Sequence, residues 1–232
     1  MNILKRLTKQ QKKNLELGIA IFISLLTILL WKSIIIYPVK VFVVLLHEMS
    51  HGLAAILTGG KIIKIIITPE LGGETVTTGG LKFIIASSGY LGSLFFGAML
   101  FYSAYNKKFS MWFNTILSIM ILLFTVNFLE GSFTIIFSLA FALLLFLSPR
   151  VLNDLIHSYA MKILGLISSL YILIDIKEDL ITLRILPSDA QMLADITGIP
   201  AFVWGLLWLA VTAVIIYYMY RFSYKKGFRK KV

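Results

Sequence analysis

The sequence predicts an all-α integral membrane protein of about six transmembrane helices, with a small strand-like hairpin between the second apolar segment and the next span. Three observations predict it. Of 232 residues, 59% are hydrophobic and only 14% charged, against roughly a quarter charged in soluble domains; the mean hydropathy is +0.90. Apolar stretches long enough for a hydrocarbon core of ~30 Å recur from residue 15 to residue 220. The segment over residues 61–83 differs in kind: it is rich in isoleucine, threonine and valine set between Gly-Gly pairs, a strand-and-turn composition.

Taken in order, with a rise of ~1.5 Å per residue, helices are expected at about 15–36, 39–57, 83–105, 112–128, 132–147, 154–175 and 199–220. The first is about as long as a full span, and no small-residue cleavage site follows it before Trp31 and Lys32; it is expected to stay as an anchor rather than be removed as a signal peptide. The segments on either side of "FLEGSF" are shorter, so they read as a tight pair of thin spans or a hairpin that does not cross fully. No internal repeat of fixed period stands out.

The net charge of +11 comes mostly from "KRLTKQQKK" at the start and "RFSYKKGFRKK" at the finish. Basic flanks mark the cytoplasmic side, so both ends are expected there and the number of crossings is expected to be even. Six crossings follow if the short pair does not count as two. The domain reading is therefore a basic cytoplasmic tail over 1–14, one polytopic domain over 15–220 and a basic tail over 221–232. The tails suit anionic lipid headgroups. Nucleic acid is not an expected partner, because no groove-reading motif accompanies the charge. With no cysteine in the chain, disulfides and thiolate chemistry are excluded, and any metal must be held by histidine and carboxylate.

The second apolar segment contains "VVLLHEMSHGLA", which places His47, Glu48 and His51 inside a run that otherwise reads as lipid-soluble. Each ionisable group at the bilayer centre costs on the order of 2.5 to 3.5 kcal/mol on insertion scales, so three within five residues require a partner such as a metal and internal water. Residues four apart lie one helical turn above each other, so His47 and His51 can give two imidazole nitrogens to one cation. Glu48 projects about 100° around the helix and can still reach a water at that cation, as a general base must. Zinc fits this HExxH arrangement best, since it accepts imidazole and carboxylate ligands. Ser50 and Gly52 are small enough to let another element approach the same helix.

Irregular or strand backbone at membrane depth survives only where protein or water satisfies its amides. Residues 61–83 are therefore expected as a surface hairpin or as a sheet beside a water-filled cavity. In "SSGYLGSLFFG", Gly89, Gly92 and Gly97 suit close helix approach. In "TGIPAFVWGLLW", Gly198 and Pro200 punctuate a helix that carries Trp204 and Trp208 on one face, for packing or an aromatic belt.

With "HEMSHGLAAILTGGKI", the Gly-rich segment after it, "ASSGYLGSLFFGAML" and "LPSDAQMLADITGIPAFVWGLLW", the chain resembles the site-2 protease-like membrane metallopeptidases, in the branch called B-like, over roughly residues 40–210. The resemblance implies cleavage of peptide bonds in membrane-spanning substrates, a multi-pass location in a cell membrane, expected here to be bacterial, and zinc held by the two HExxH histidines and a distant aspartate. Better-known members carry that aspartate in a Leu-Asp-Gly motif, which this chain lacks. The nearest match is "LPSDAQ", where Pro187 shortly precedes Asp189 and Ala190 stands in the place of glycine. Ser188 or Asp189 can equally cap the following helix.

Asp175 in "LYILIDI" is the other candidate for third ligand, since an unpaired carboxylate at the end of an apolar run is costly; pairing with Lys177 or Arg184 is its structural alternative. Asp195 lies nearly opposite Asp189 on a helix, and His157 reads as interfacial.

The expected activity is hydrolysis by a zinc-activated water with Glu48 as general base. The hairpin would hold an unwound membrane protein or peptide substrate as an added strand, and Gly72, Gly73, Gly79 and Gly80 would let that loop move. Two other readings stand beside this one: a transporter or metal-handling protein using the His/Glu cluster as a cation site, and an inactive relative that binds membrane partners.

Overall fold

The computed structural model describes residues 7–181 and 188–228, with the side chains of 177–181 left aside. The first helix, α1 (Lys9–Leu29), starts about one and a half turns earlier than its apolar run. A capping box explains the shift: Thr8 Oγ1 accepts from the Gln11 backbone amide and Gln11 Oε1 accepts from the Thr8 amide, so two orphan donors are satisfied before the apolar residues begin. Then come α2 (Tyr37–Leu57), β1 (Lys61–Ile67), β2 (Gly73–Thr78), α3 (Lys82–Ser103), α4 (Lys107–Asn127), β3 (Leu129–Glu130), α5 (Ser132–Val151), α6 (Asp154–Ile181), α7 (Asp189–Thr197) and α8 (Ala201–Lys226).

Six helices among the described residues are long and apolar enough to cross a membrane: α2, α3, α4, α5, α6 as far as Ile176, and α8. The chain is a multi-pass integral membrane protein. The number is the expected one, but the helix left out differs. The pair around "FLEGSF" is two full-length helices of 21 and 20 residues, whereas α1 carries Lys9, Lys12, Lys13 and Glu16 in its first half.

The pair gained its length at both outer ends. Asn106 caps α4 by accepting from the Phe109 amide at 3.2 Å, so the helix begins before the apolar run does. At the far end α5 continues through Pro149. Proline lacks the N–H that would bond the Leu145 carbonyl, and Ser148 Oγ donates to that carbonyl instead, at 3.3 Å.

Helix α2 is the most enclosed of the spans. It packs against α3 on one side and the hairpin on another, and α3 in turn packs on α6. Gly97 of α3 and Gly165 of α6 meet backbone to backbone; a Cβ on Gly97 would lie 3.2 Å from the Gly165 carbonyl oxygen. No larger residue fits either place without moving a helix. Helices α4 and α5 form an antiparallel pair, α8 runs along α1 and α6, and the short α7 sits on α3 and α8.

The strands form one sheet in the order β2-β1-β3. β1 and β2 are antiparallel, with a bulge between Ile62 and Lys64, and β3 is parallel to β1. Ile62, Ile65 and Ile67 are buried against α2 residues including Phe42 and Leu46. Thr134 of α5 closes the end of β1, its hydroxyl accepting from the Ile67 amide at 3.0 Å and donating to the Ile67 carbonyl at 3.1 Å. The hairpin is thus fixed against α2 rather than lying loose on a surface, with β1 paired on both sides and β2 left at an edge of the sheet.

Candidate metal and catalytic centre

Helix α2 presents His47 and His51 on one face, one turn apart, with ring centroids 4.8 Å apart. Their partner comes from 138 residues further along the chain, at the first position of α7. His47 Nε2 lies 3.2 Å from Asp189 Oδ2, and His51 Nε2 lies 3.3 Å from Asp189 Oδ1. Of the two capping alternatives, Ser188 takes the role, its hydroxyl accepting from the Gln191 amide at 3.3 Å. That leaves the Asp189 carboxylate turned toward the histidines. Leu186 and Pro187 lie outside the described residues.

The tautomer of His51 is set by its far side. Its Nδ1 lies 2.7 Å from the Ile85 carbonyl oxygen, which can only accept. A neutral His51 donating there carries a bare lone pair at Nε2, so the short approach to Asp189 sets one acceptor against another. Asp189 Oδ2, though buried, has no hydrogen-bond donor among the described residues.

A cation between these atoms would resolve both facts. Ligand atoms bonded at ~2.0–2.2 Å to one tetrahedral zinc are separated by about 3.3–3.6 Å, close to the two distances observed, and one ligand atom from each of the three residues falls within 4.8 Å of the others. The donor set, two imidazoles and a carboxylate, fits zinc.

Close approach by two other elements completes the centre. Gly89 of α3 faces the histidines: a Cβ there would stand 2.5 Å from Nε2 of both His47 and His51. Gly92, one turn on, faces Ser50 in the same way. Tyr90 packs edge-on against His47, with centroids 5.0 Å apart, and is backed by Trp208 at 4.8 Å.

On the other side β2 approaches Glu48, which is 6% exposed. Gly73 leaves no room for a side chain beside the Glu48 carboxylate, and Thr75 Oγ1 donates to Glu48 Oε2 at 2.7 Å. The His47 side chain keeps 17% of its surface open.

The remaining sequence candidates fall elsewhere. Asp175 accepts from Tyr90 Oη at 3.3 Å and does not join the histidine pair; its suggested partners Lys177 and Arg184 lie outside the described side chains. Asp195 is exposed and accepts from Gln191 Nε2 at 2.8 Å. His157, expected at an interface, is buried, with its Nε2 2.6 Å from Ser110 Oγ. Trp208 is buried on Tyr90, and Trp204 packs on Phe83 with centroids 5.6 Å apart. Sequence reasoning missed Thr75 and the Ile85 carbonyl. The alternation of Thr75, Val76, Thr77 and Thr78 marks a strand without saying which threonine faces the helix.

Neither a curated protein nor a solved structure matches the chain. The profile of one family, described as Peptidase M50B-like, matches residues 19–219, a span that contains α2, the hairpin and α7. With the HExxH helix, the distant aspartate, five of the six apolar helices and most of α8 inside that match, the chain belongs to the Peptidase M50B-like family.

Proposed function

We propose that the protein is an intramembrane zinc metalloprotease of site-2 protease type, hydrolysing peptide bonds of membrane-embedded substrates in the cell membrane of a bacterium. The observation that carries this reading is the convergence of His47, His51 and Asp189 beside a strand-braced Glu48; the family match supports it by pointing to a metallopeptidase. His47, His51 and Asp189 would hold the metal, leaving a fourth position for water or substrate. A zinc ion bound there would polarise the scissile carbonyl and lower the pKa of water toward ~7.

The chain's own residues carry the proton. Glu48 takes it from the attacking water and later delivers it to the leaving amine, while Thr75 holds its carboxylate in place. The Ile85 carbonyl fixes the orientation of His51. Strand β2 is at an edge of the sheet, next to Glu48. An extended substrate adding to that edge would bring its amides to the carboxylate. Helical backbone hides its carbonyls, so such extension must precede cutting.

The test is Glu48→Gln beside wild type, both reconstituted in vesicles with a membrane-spanning reporter peptide and zinc. The expected result is retained zinc with hydrolysis lower by about 10²–10⁴-fold. Zinc lost together with Glu48 would favour a cation-handling protein. A zinc-loaded wild type that cuts nothing would favour an inactive relative.

A further inference from the structure

Far from the metal centre, at the opposite end of α8, the helix turns three cations, Arg221, Lys225 and Lys226, into a groove of about 740 Å³ between itself and the α3–α4 corner. All three are exposed. Its wall is aromatic: Tyr102 of α3 packs edge-on against Phe222 of α8, with centroids 4.8 Å apart. Among the described residues, no carboxylate lines this groove. Lys226 also borders the adjacent pocket that holds Glu16 and Asp154, whose carboxylates pair with Lys162 and Lys107. The N-terminus of α4, at Asn106 and Phe109, opens on the same groove and adds the positive end of a 21-residue helix.

Cations at a helix C-terminus ordinarily complement the helix dipole, and that role asks for neither a concave wall nor an apolar continuation. Here both are present. Along α8, Leu207 and Val214 are about half exposed on the face that leads to Tyr218 and Arg221; along α3, Leu91 and Phe95 are exposed on the face that leads to Tyr102. Two apolar tracks on spanning helices thus run up to one cluster of cations at the level where the spans end.

We infer that this groove binds the phosphate headgroup of an anionic phospholipid, with Arg221, Lys225 and Lys226 facing the phosphate and the acyl chains lying along the exposed faces of α3 and α8. Guanidinium and ammonium groups suit phosphate oxygens, and aromatic side chains suit the headgroup level. The occupant is a lipid rather than a free phosphate, because the groove lies where α3 and α8 end as spans, so a headgroup held there keeps its acyl chains on the apolar faces of the same two helices.

The experiment uses the full chain in detergent, with bound lipid counted by native mass spectrometry after titration with phosphatidylglycerol or with phosphatidylcholine of the same acyl chains. Wild type is expected to retain phosphatidylglycerol preferentially, and millimolar inorganic phosphate is expected not to displace it. Arg221→Gln with Lys225→Gln is expected to bind phosphatidylglycerol roughly tenfold or more weakly. Lys61→Gln with Lys82→Gln, which removes equal charge from exposed sites off the groove, is expected to bind as wild type does. Thermal unfolding without lipid checks that the variants fold, and Lys225→Gln alone carries the comparison if the double variant does not. Equal affinity for the two lipids, undiminished binding by the groove variant, an equal loss in the control pair, or displacement by inorganic phosphate would each overturn the assignment.

Discussion

Thr75 Oγ1 lies 2.7 Å from Glu48 Oε2 and 3.0 Å from the Glu48 carbonyl oxygen, so one hydroxyl of the hairpin holds both the side chain and the backbone of the residue beside the first histidine. A carboxylate that must collect a proton from water gains from a fixed position. Thr75→Val keeps the strand and its shape but removes the donor. We expect hydrolysis to fall by about tenfold or more with zinc content unchanged, and Thr75→Ser to recover most of it. A loss of zinc in the valine variant would show that Thr75 maintains the fold of the centre instead.

Gly89 predicts the reverse pattern. A methyl group at 2.5 Å from both imidazole Nε2 atoms has nowhere to go, because the histidines are fixed on α2 and His51 is tied to Ile85. Gly89→Ala is expected to weaken zinc binding by about 10–100-fold, the range associated with displaced ligand orientation, while the protein stays folded. A competition titration against a chelator reads this directly. Gly97→Ala, at the α3–α6 contact, should instead lower the unfolding temperature.

The buried pair Glu16–Lys162 ties α1 to α6, and Tyr105 Oη adds a hydrogen bond to Glu16 Oε1 at 2.8 Å. Removing one partner leaves an uncompensated charge, at a cost of roughly 3–5 kcal/mol. Lys162→Met is therefore expected to unfold at a clearly lower temperature in detergent. Adding Glu16→Gln to it should recover much of the loss, which calorimetry on the two variants will show.

How much of this was legible beforehand follows from the range of each interaction. Helices α2, α3 and α8 could be read from apolar length, because lipid imposes one periodicity over ~20 residues. The start of α1 depended on Thr8 and Gln11, a pair of polar residues outside the apolar run. The length of α5 depended on Ser148 filling the carbonyl left by Pro149. Strand β3 is two residues long and exists only because β1 lies beside it, so no local pattern marks it. At the site, His47, Glu48 and His51 are neighbours in sequence and carry their own spacing. Asp189 could be named only as one of two candidates, since nothing local distinguishes a carboxylate that caps from one that faces another helix; Ser188 taking the cap is a fact of the fold. Thr75 was invisible because a one-residue change in strand register would turn it away from Glu48.

The most direct test of the central claim is zinc stoichiometry on the purified, detergent-solubilised protein, with wild type beside His47→Ala, Asp189→Ala and Asp175→Ala. About one zinc per chain is expected in wild type and in Asp175→Ala, and little or none when His47 or Asp189 is removed. Zinc retained by Asp189→Ala, or absent from a carefully reconstituted wild type, would contradict that claim.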